Sequence, residues 1–227
     1  METPAAPRLL GWPPDGPTLR LDYRRYAYAG KFVVSSTGKA VIAPEGWEPV
    51  AEETRGVGAA EGADAAEEVD AAEEATGTRG NRVDGASMED GLLAAASFDE
   101  DRTDPGTLRL RYVTVRDDRR GEGHGPRLCA FVCTRAADRG YERVRIAVNN
   151  PYAFEALSRA GFAFTGEETG LAELVLERPA ERVAPRDADR YRAGLDAFAD
   201  RGDLTDGERA FLRERRGRGP PDRTAAE

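Results

Sequence analysis

Between Leu108 and Gly140 the chain reads LRLRYVTVRDDRRGEGHGPRLCAFVCTRAADRG, and this stretch limits the folds open to the rest. The apolar, β-branched run from Leu108 to Arg116 predicts a central strand. Leu128, Phe131 and Val132 at core spacing predict a helix over Arg127 to Arg139, with Gly140 as its left-handed stop. Between them lies Arg120-Gly121-Glu122-Gly123-His124-Gly125. Glycines there let successive backbone N–H groups converge on one small volume with no Cβ in the way. The helix behind adds its own unpaired N–H groups and the positive end of its dipole, so the turn is a receptor for phosphate.

A second block follows in order. Val144, Ile146 and Val148 alternate inward, predicting a half-buried strand over Arg143 to Val148. Asn150-Pro151 then opens a helix, asparagine as N-cap and proline at the first position, and Gly161 closes it. Phe162 to Phe164 and Leu171 to Glu177 are expected to pair across the Gly166 to Gly170 turn as a closing hairpin.

The pattern Val115-x-x-x-x-Arg120-x-x-Gly123-x-Gly125, followed by Val148-Asn149-Asn150 and its helix to Gly161-Phe162, resembles the GNAT acetyltransferase superfamily. Two spaced motifs in the right order are more specific than one glycine-rich turn. No Gly-Lys-Ser/Thr marks a P-loop, and no acidic partner sits where a dinucleotide fold wants one. The resemblance implies an α/β, mixed-sheet fold in which two adjacent parallel strands, Leu108 to Arg116 and Arg143 to Val148, splay to admit acetyl-CoA. It implies that the backbone of Val113 and Val115 pairs with pantetheine. The amides from Gly121 through Glu122, Gly123 and His124 to Gly125 would cradle the pyrophosphate, with Arg120 closing over it. Asn150 would lie beside the thiol end, and Asn149 would face the acceptor. The implied activity is transfer of an acetyl group to a primary amine by direct attack. The alternative is a domain that binds CoA without turnover, as a sensor or interaction module.

One departure bears on chemistry. Where many family members carry a tyrosine to protonate the departing thiolate, this chain has Leu157. Tyr112, Tyr152 and Ser158 are the substitutes near in sequence. Glu100 and Asp101, ending the strand before the central one, are the carboxylates best placed as base; Glu167, Glu168 and Glu173 come after them. His124 is the single histidine, but between two motif glycines it reads as loop filler with an exposed ring.

Around this centre, residues 1–18 form a proline-rich arm expected to be disordered or loosely docked. Leu19 to Tyr23 alternates like a first strand. Arg24 to Ser36 reads as strand or helix, with helix preferred, and Gly38 to Ala43 as a short strand. Gly91 to Asp99 is the strand that follows an insertion. The GNAT-like domain thus spans 19–178. Its insertion, residues 45–90, carries 14 acidic and 3 basic residues against a whole-chain charge of −9. Such a composition is expected to stay a solvated loop, with a partly helical piece at 59–75 as the alternative. The remainder is then close to neutral, which suits a cleft for a phosphate ligand. Residues 179–227 form a C-terminal extension. Tyr191, Leu195 and Phe198 mark one amphipathic helix, Thr205 to Glu208 a capping box for another, and a frayed tail ends it. These helices pack in cis or make a homodimer.

Lys31 and Lys39 are the only lysines, and that skew toward arginine fits a high-GC genome and a halophilic prokaryote. Cys129 and Cys133, four apart on one helix, cannot supply a zinc site, so no metal is expected. No apolar run reaches the ~20 residues of a membrane span, and the start lacks the pattern of a signal peptide. A cytoplasmic protein is expected, with a small-molecule or peptide amine as acceptor. The arginines are too mixed with acids for a nucleic-acid surface.

Overall fold

The computed structural model describes residues 4–49 and 91–223. Seven strands form one mixed sheet: β1 (Ala5–Gly11), β2 (Gly38–Pro44), β3 (Ala94–Glu100), β4 (Thr107–Val115), β5 (Arg143–Val148), β6 (Ala163–Glu168) and β7 (Leu174–Pro179). Their order across the sheet is β1-β2-β3-β4-β5-β7-β6. All neighbours are antiparallel except β4 and β5. The helices are α1 (His124–Ala137), α2 (Pro151–Arg159), α3 (Ala188–Ala199) and α4 (Asp206–Arg216). The expected α/β architecture is the one observed.

Both sheet faces are used, and period-2 alternation assigns them. Ala40, Ile42, Ala94, Ala96, Phe98, Leu108 and Leu110 enter the main core with Leu128, Val132 and Cys133 of α1. Val41, Ala43 and Ala95 enter a second core under Leu19, Leu21, Tyr26, Ala29 and Phe32. Residues 19–36 therefore cover one face, but not as the expected strand and helix. Leu19 and Leu21 are buried on irregular chain, where Leu19 N–H is satisfied by Phe32 O at 3.0 Å. The segment 24–36 is a series of turns with one short 3₁₀ element at Ala29–Lys31. Tyr28 is left-handed (φ 58°), which an α-helix there could not accommodate. Tyr26 anchors the cover by donating its hydroxyl to Leu92 O at 2.6 Å.

The N-terminal arm is also more ordered than its prolines suggest. Residues 5–11 are the edge strand β1, where Pro7 costs no interior ladder bond. Arg127 Nη1 donates to Ala5 O at 2.9 Å, tying the strand to α1. Trp12 packs at a tilt 4.8 Å from Phe98 and lies under the Arg139 guanidinium at 4.1 Å. Of the acidic insertion, residues 50–90 lie outside the described residues, as does the possible helix at 59–75.

The C-terminal helices pack in cis: α3 against β6 and α2, α4 against α3 and α2. Thr205 forms the expected capping box with Glu208. A buried carboxylate holds the extension. Glu155 of α2 accepts from Tyr191 Oη (2.7 Å) and Arg159 Nη2 (2.9 Å), and forms an ion pair with Arg215, whose Nε lies at 3.1 Å. The tail is docked rather than frayed as far as residue 223, since Arg186 donates to Pro220 O and Arg223 to Ala184 O. Lys39 is fully buried, its ammonium spent on Val34 O, Thr37 O and Thr37 Oγ1 at 2.6–2.8 Å.

Candidate functional site

The parallel pair β4–β5 is joined along only three rows, Thr107↔Arg143, Leu108↔Val144 and Arg109↔Arg145. Beyond Arg109, β4 follows β3 while β5 follows β7 through Val148. The two strands thus part, leaving a wedge whose walls are Leu110 to Val115 on one side and Ile146 to Val148 on the other. A bulge starts the parting: Ser97 opposes Tyr112 and Phe98 opposes Leu110, so Arg111 is the extra residue on β4.

The wedge exposes backbone groups in need of partners. Arg116 N–H donates to Leu93 O at 2.9 Å. Antiparallel alternation then turns Thr114 toward β3 as well, and aims the N–H and C=O of Val113 and Val115 into the gap. An extended, amide-bearing ligand fits such an edge.

At the mouth, Asp117–Arg119 makes a 3₁₀ turn, and Gly121 and Gly123 adopt φ of 84° and 85°, a region that disfavours side chains. Helix α1 begins at His124, three residues before the expected Arg127, because Gly123 serves as N-cap. No side chain caps this end and no acid lies in its first turn, so the N–H groups of His124 and Gly125 are presented to the mouth. A Cβ at Gly125 would come within 3.4 Å of Val115 Cγ2 and crowd the wedge wall. Arg120 is exposed and rests on Asp117 at 2.5 Å. An exposed pair of this kind is worth at most about 1 kcal/mol, so a phosphate can take the guanidinium over. His124 does not expose its ring as expected. Its Nε2 lies 3.2 Å from Glu122, which also accepts from Arg119 Nε at 2.9 Å, and the three side chains close the loop tip.

Where β5 ends, Asn150 caps α2, its Oδ1 accepting from Ala153 N–H at 2.9 Å while its Nδ2 donates to Asn149 Oδ1 at 3.1 Å. Leu157 is buried in the main core, so that position faces away from solvent and ligand. Of the three substitute hydroxyls, Tyr152 packs its ring at a tilt against Phe211 (4.7 Å) and Ser158 donates to Phe154 O (2.9 Å). Tyr112 alone stands on a wedge strand, next to the bulge, its ring tilted against Tyr28 at 5.7 Å.

The structure does not bring Glu100 and Asp101 to the wedge. Glu100 pairs with Leu108, at the closed end of β4, and accepts from the Tyr141 hydroxyl. Burial, helped by that carboxylate, pushes the Tyr141 phenol up to about 12. Asp101 turns back to Thr103, accepting from its hydroxyl at 2.7 Å and its N–H at 2.9 Å, and these bonds hold its carboxyl below the usual range. Sequence reasoning missed what lies at the apex instead. Asp99↔Arg109↔Arg145↔Glu177 form one row across β3, β4, β5 and β7, on the face away from the main core. Asp99 binds Arg109 and Arg111, each at 3.2 Å, and Arg145 binds Glu177 at 3.0 Å and Glu167 at 2.9 Å. Alternation alone puts Asp99 on the same side of β3 as Ser97, but what it faces follows only from the register, in which Ser97 opposes Tyr112.

Among the described residues no cluster of His, Cys, Asp and Glu could hold a metal ion, and no helix is long and apolar enough to cross a membrane.

Residues 51–162, close to half of the chain, match the family model of the acetyltransferase (GNAT) family. No curated protein matches the chain. Similar solved structures include a nourseothricin acetyltransferase (23% identity, TM-score 0.36), covering 40% of this chain and 59% of its own. A Bacillus subtilis acetyltransferase in complex with CoA is 16% identical with TM-score 0.35, covering 40% of this chain and 70% of its own. The PaiA N-acetyltransferase of Thermoplasma acidophilum in complex with coenzyme A is 16% identical with TM-score 0.35, covering 42% and 58%. The chain thus spans about three-fifths of the length of the first of these relatives.

Proposed function

We propose that this chain, matched over residues 51–162 to the GNAT acetyltransferases, moves the acetyl group of acetyl-CoA to a primary amine. The observation that carries this reading is the wedge, three paired rows giving way to an open strand edge with a glycine-lined helix N-terminus at its mouth. Pantetheine pairs with the backbone of Val113 and Val115. The pyrophosphate lies on the amides of residues 121–125, and Arg120 exchanges Asp117 for it. Asn150 borders the thiol end and Asn149 the acceptor side.

The amine reaches the thioester carbon as a free base. Its lone pair forms the C–N bond, the C–S bond breaks, and the nitrogen's proton leaves through water to a carboxylate of the apex row, Asp99 or Glu177. Tyr112, the one substitute hydroxyl on a wedge strand, returns a proton to the thiolate. The acceptor is a small molecule or a peptide amine.

Calorimetric titration with CoA tests the site. The parent is expected to bind, and Gly123→Glu, which sets a carboxylate at a left-handed position beside the phosphates, is expected to abolish binding; equal affinity in both removes the assignment. One observation favours a second reading. Leu157 is sealed in the core, which leaves the usual acid position without a hydroxyl and suits a CoA-binding module without turnover. Release of CoA thiol with any member of an amine panel rejects that second reading.

A further inference from the structure

The C-terminal extension reaches into the corner that Asn150 occupies. Arg201 follows α3, and its Nη1 donates to Asn149 O at 2.8 Å while its Nη2 donates to Ala172 O. One guanidinium therefore bridges the end of β5 and the β6–β7 turn. Its planar fork sets two separate, rigidly spaced nitrogens on the two carbonyls, a span that the single nitrogen of a lysine does not reproduce. The group lies 4.4 Å from the Phe198 ring centroid, and Phe198 is fully buried, so the fork rests on a fixed base. The turn it grips contains Ala172 at φ 57°, a conformation alanine adopts only when held.

What Arg201 fixes is the direction of a peptide. A trans peptide points its N–H opposite to its C=O, so pinning Asn149 O also sets the Asn150 N–H. The Asn150 side chain is locked as well, between Ala153 N–H and Asn149 Oδ1. No sequence motif of the wedge includes Arg201, which lies 51 residues beyond Asn150 in a segment outside the matched region.

We propose that Arg201 is a positioning residue that holds the Asn149–Asn150 corner for the thiol end of CoA, an inference that rests on the acetyl-CoA reading above. Arg201→Ala is expected to weaken CoA binding about tenfold by calorimetry, and to raise the KM for acetyl-CoA more than it lowers kcat. Arg201→Lys, with one nitrogen in place of the fork, is expected to recover part of the affinity. Arg201→Gln serves if the alanine variant fails to fold. Arg186→Ala, which frees only the tail near Pro220 and Asp222, is the control expected to bind like the parent. Affinity within twofold of the parent in Arg201→Ala overturns the inference, and so does an equal loss in Arg186→Ala. A parent that takes up no CoA refutes the acetyl-CoA reading and this inference with it.

Discussion

Removing the Glu155 carboxylate is expected to loosen the C-terminal helices by an amount the geometry allows one to work out. Glu155 is 5% exposed, accepts from Tyr191 and Arg159, and pairs with the Arg215 charge. In Glu155→Ala the Tyr191 hydroxyl, on a residue 6% exposed, loses its acceptor where water enters poorly; a stranded buried donor costs roughly 1–3 kcal/mol. Arg159 is half-exposed and rehydrates, adding only about 0.5 kcal/mol. Arg215 is better covered and adds about 1 kcal/mol. The total is roughly 2.5–4.5 kcal/mol, or a fall in Tm of about 10 °C for a chain of this size. Chemical denaturation of the parent, Glu155→Ala, Tyr191→Phe and the double variant reads it. Because Tyr191→Phe removes the stranded hydroxyl, the double variant should lose about 1 kcal/mol less than the sum of the singles. Strict additivity, or a Glu155→Ala loss below 1 kcal/mol, would refute the reasoning.

Arg120→Ala should weaken CoA binding about 10- to 100-fold, the loss of one charge-assisted contact to phosphate; calorimetry showing no change removes Arg120 from the site. Gly194→Ala would set a Cβ 2.3 Å from Phe154 Cζ, on a ring packed between Phe164, Tyr191 and Phe198. The expected cost is about 1–3 kcal/mol of stability in urea, and a neutral outcome would mean the ring has room to move. Burial pushes the Lys39 ammonium down to about 8 from an ordinary 10.5. The folded state therefore carries a penalty for the charged form that is fully present below pH 8 and fades as pH rises to 10.5. Relative to Lys39→Met, the parent should gain up to about 3 kcal/mol of unfolding free energy over that window. A flat difference between the two would place the titration elsewhere.

Local chemistry was legible in the sequence wherever one element carried its own signal. Asn150-Pro151, the Thr205–Glu208 box and the alternation of Val144, Ile146 and Val148 each specify an end or a face without reference to distant residues, and β5 begins and ends where the pattern places it. Residues 5–36 were misread because their structure is imposed from outside. Leu19 and Leu21 are buried under no ladder of their own, and β1 exists because β2 offers an edge and Arg127 a tether. The candidate site divided in the same way. The glycine turn announces itself, whereas the apex row draws one residue from each of four strands and needs the register before it can be seen.

The interior position of both cysteine thiols bears on how an activity assay would be read. Cys129 and Cys133 are buried, burial raises both thiols, and Cys133 stands at about 12. Only the ionised form attacks disulfide reagents. In an acetyl-transfer assay, a chromogenic disulfide added to the folded protein would therefore register any coenzyme thiol set free against an almost silent polypeptide background. Colour that develops without an acceptor would report either slow hydrolysis of the donor or opening of α1.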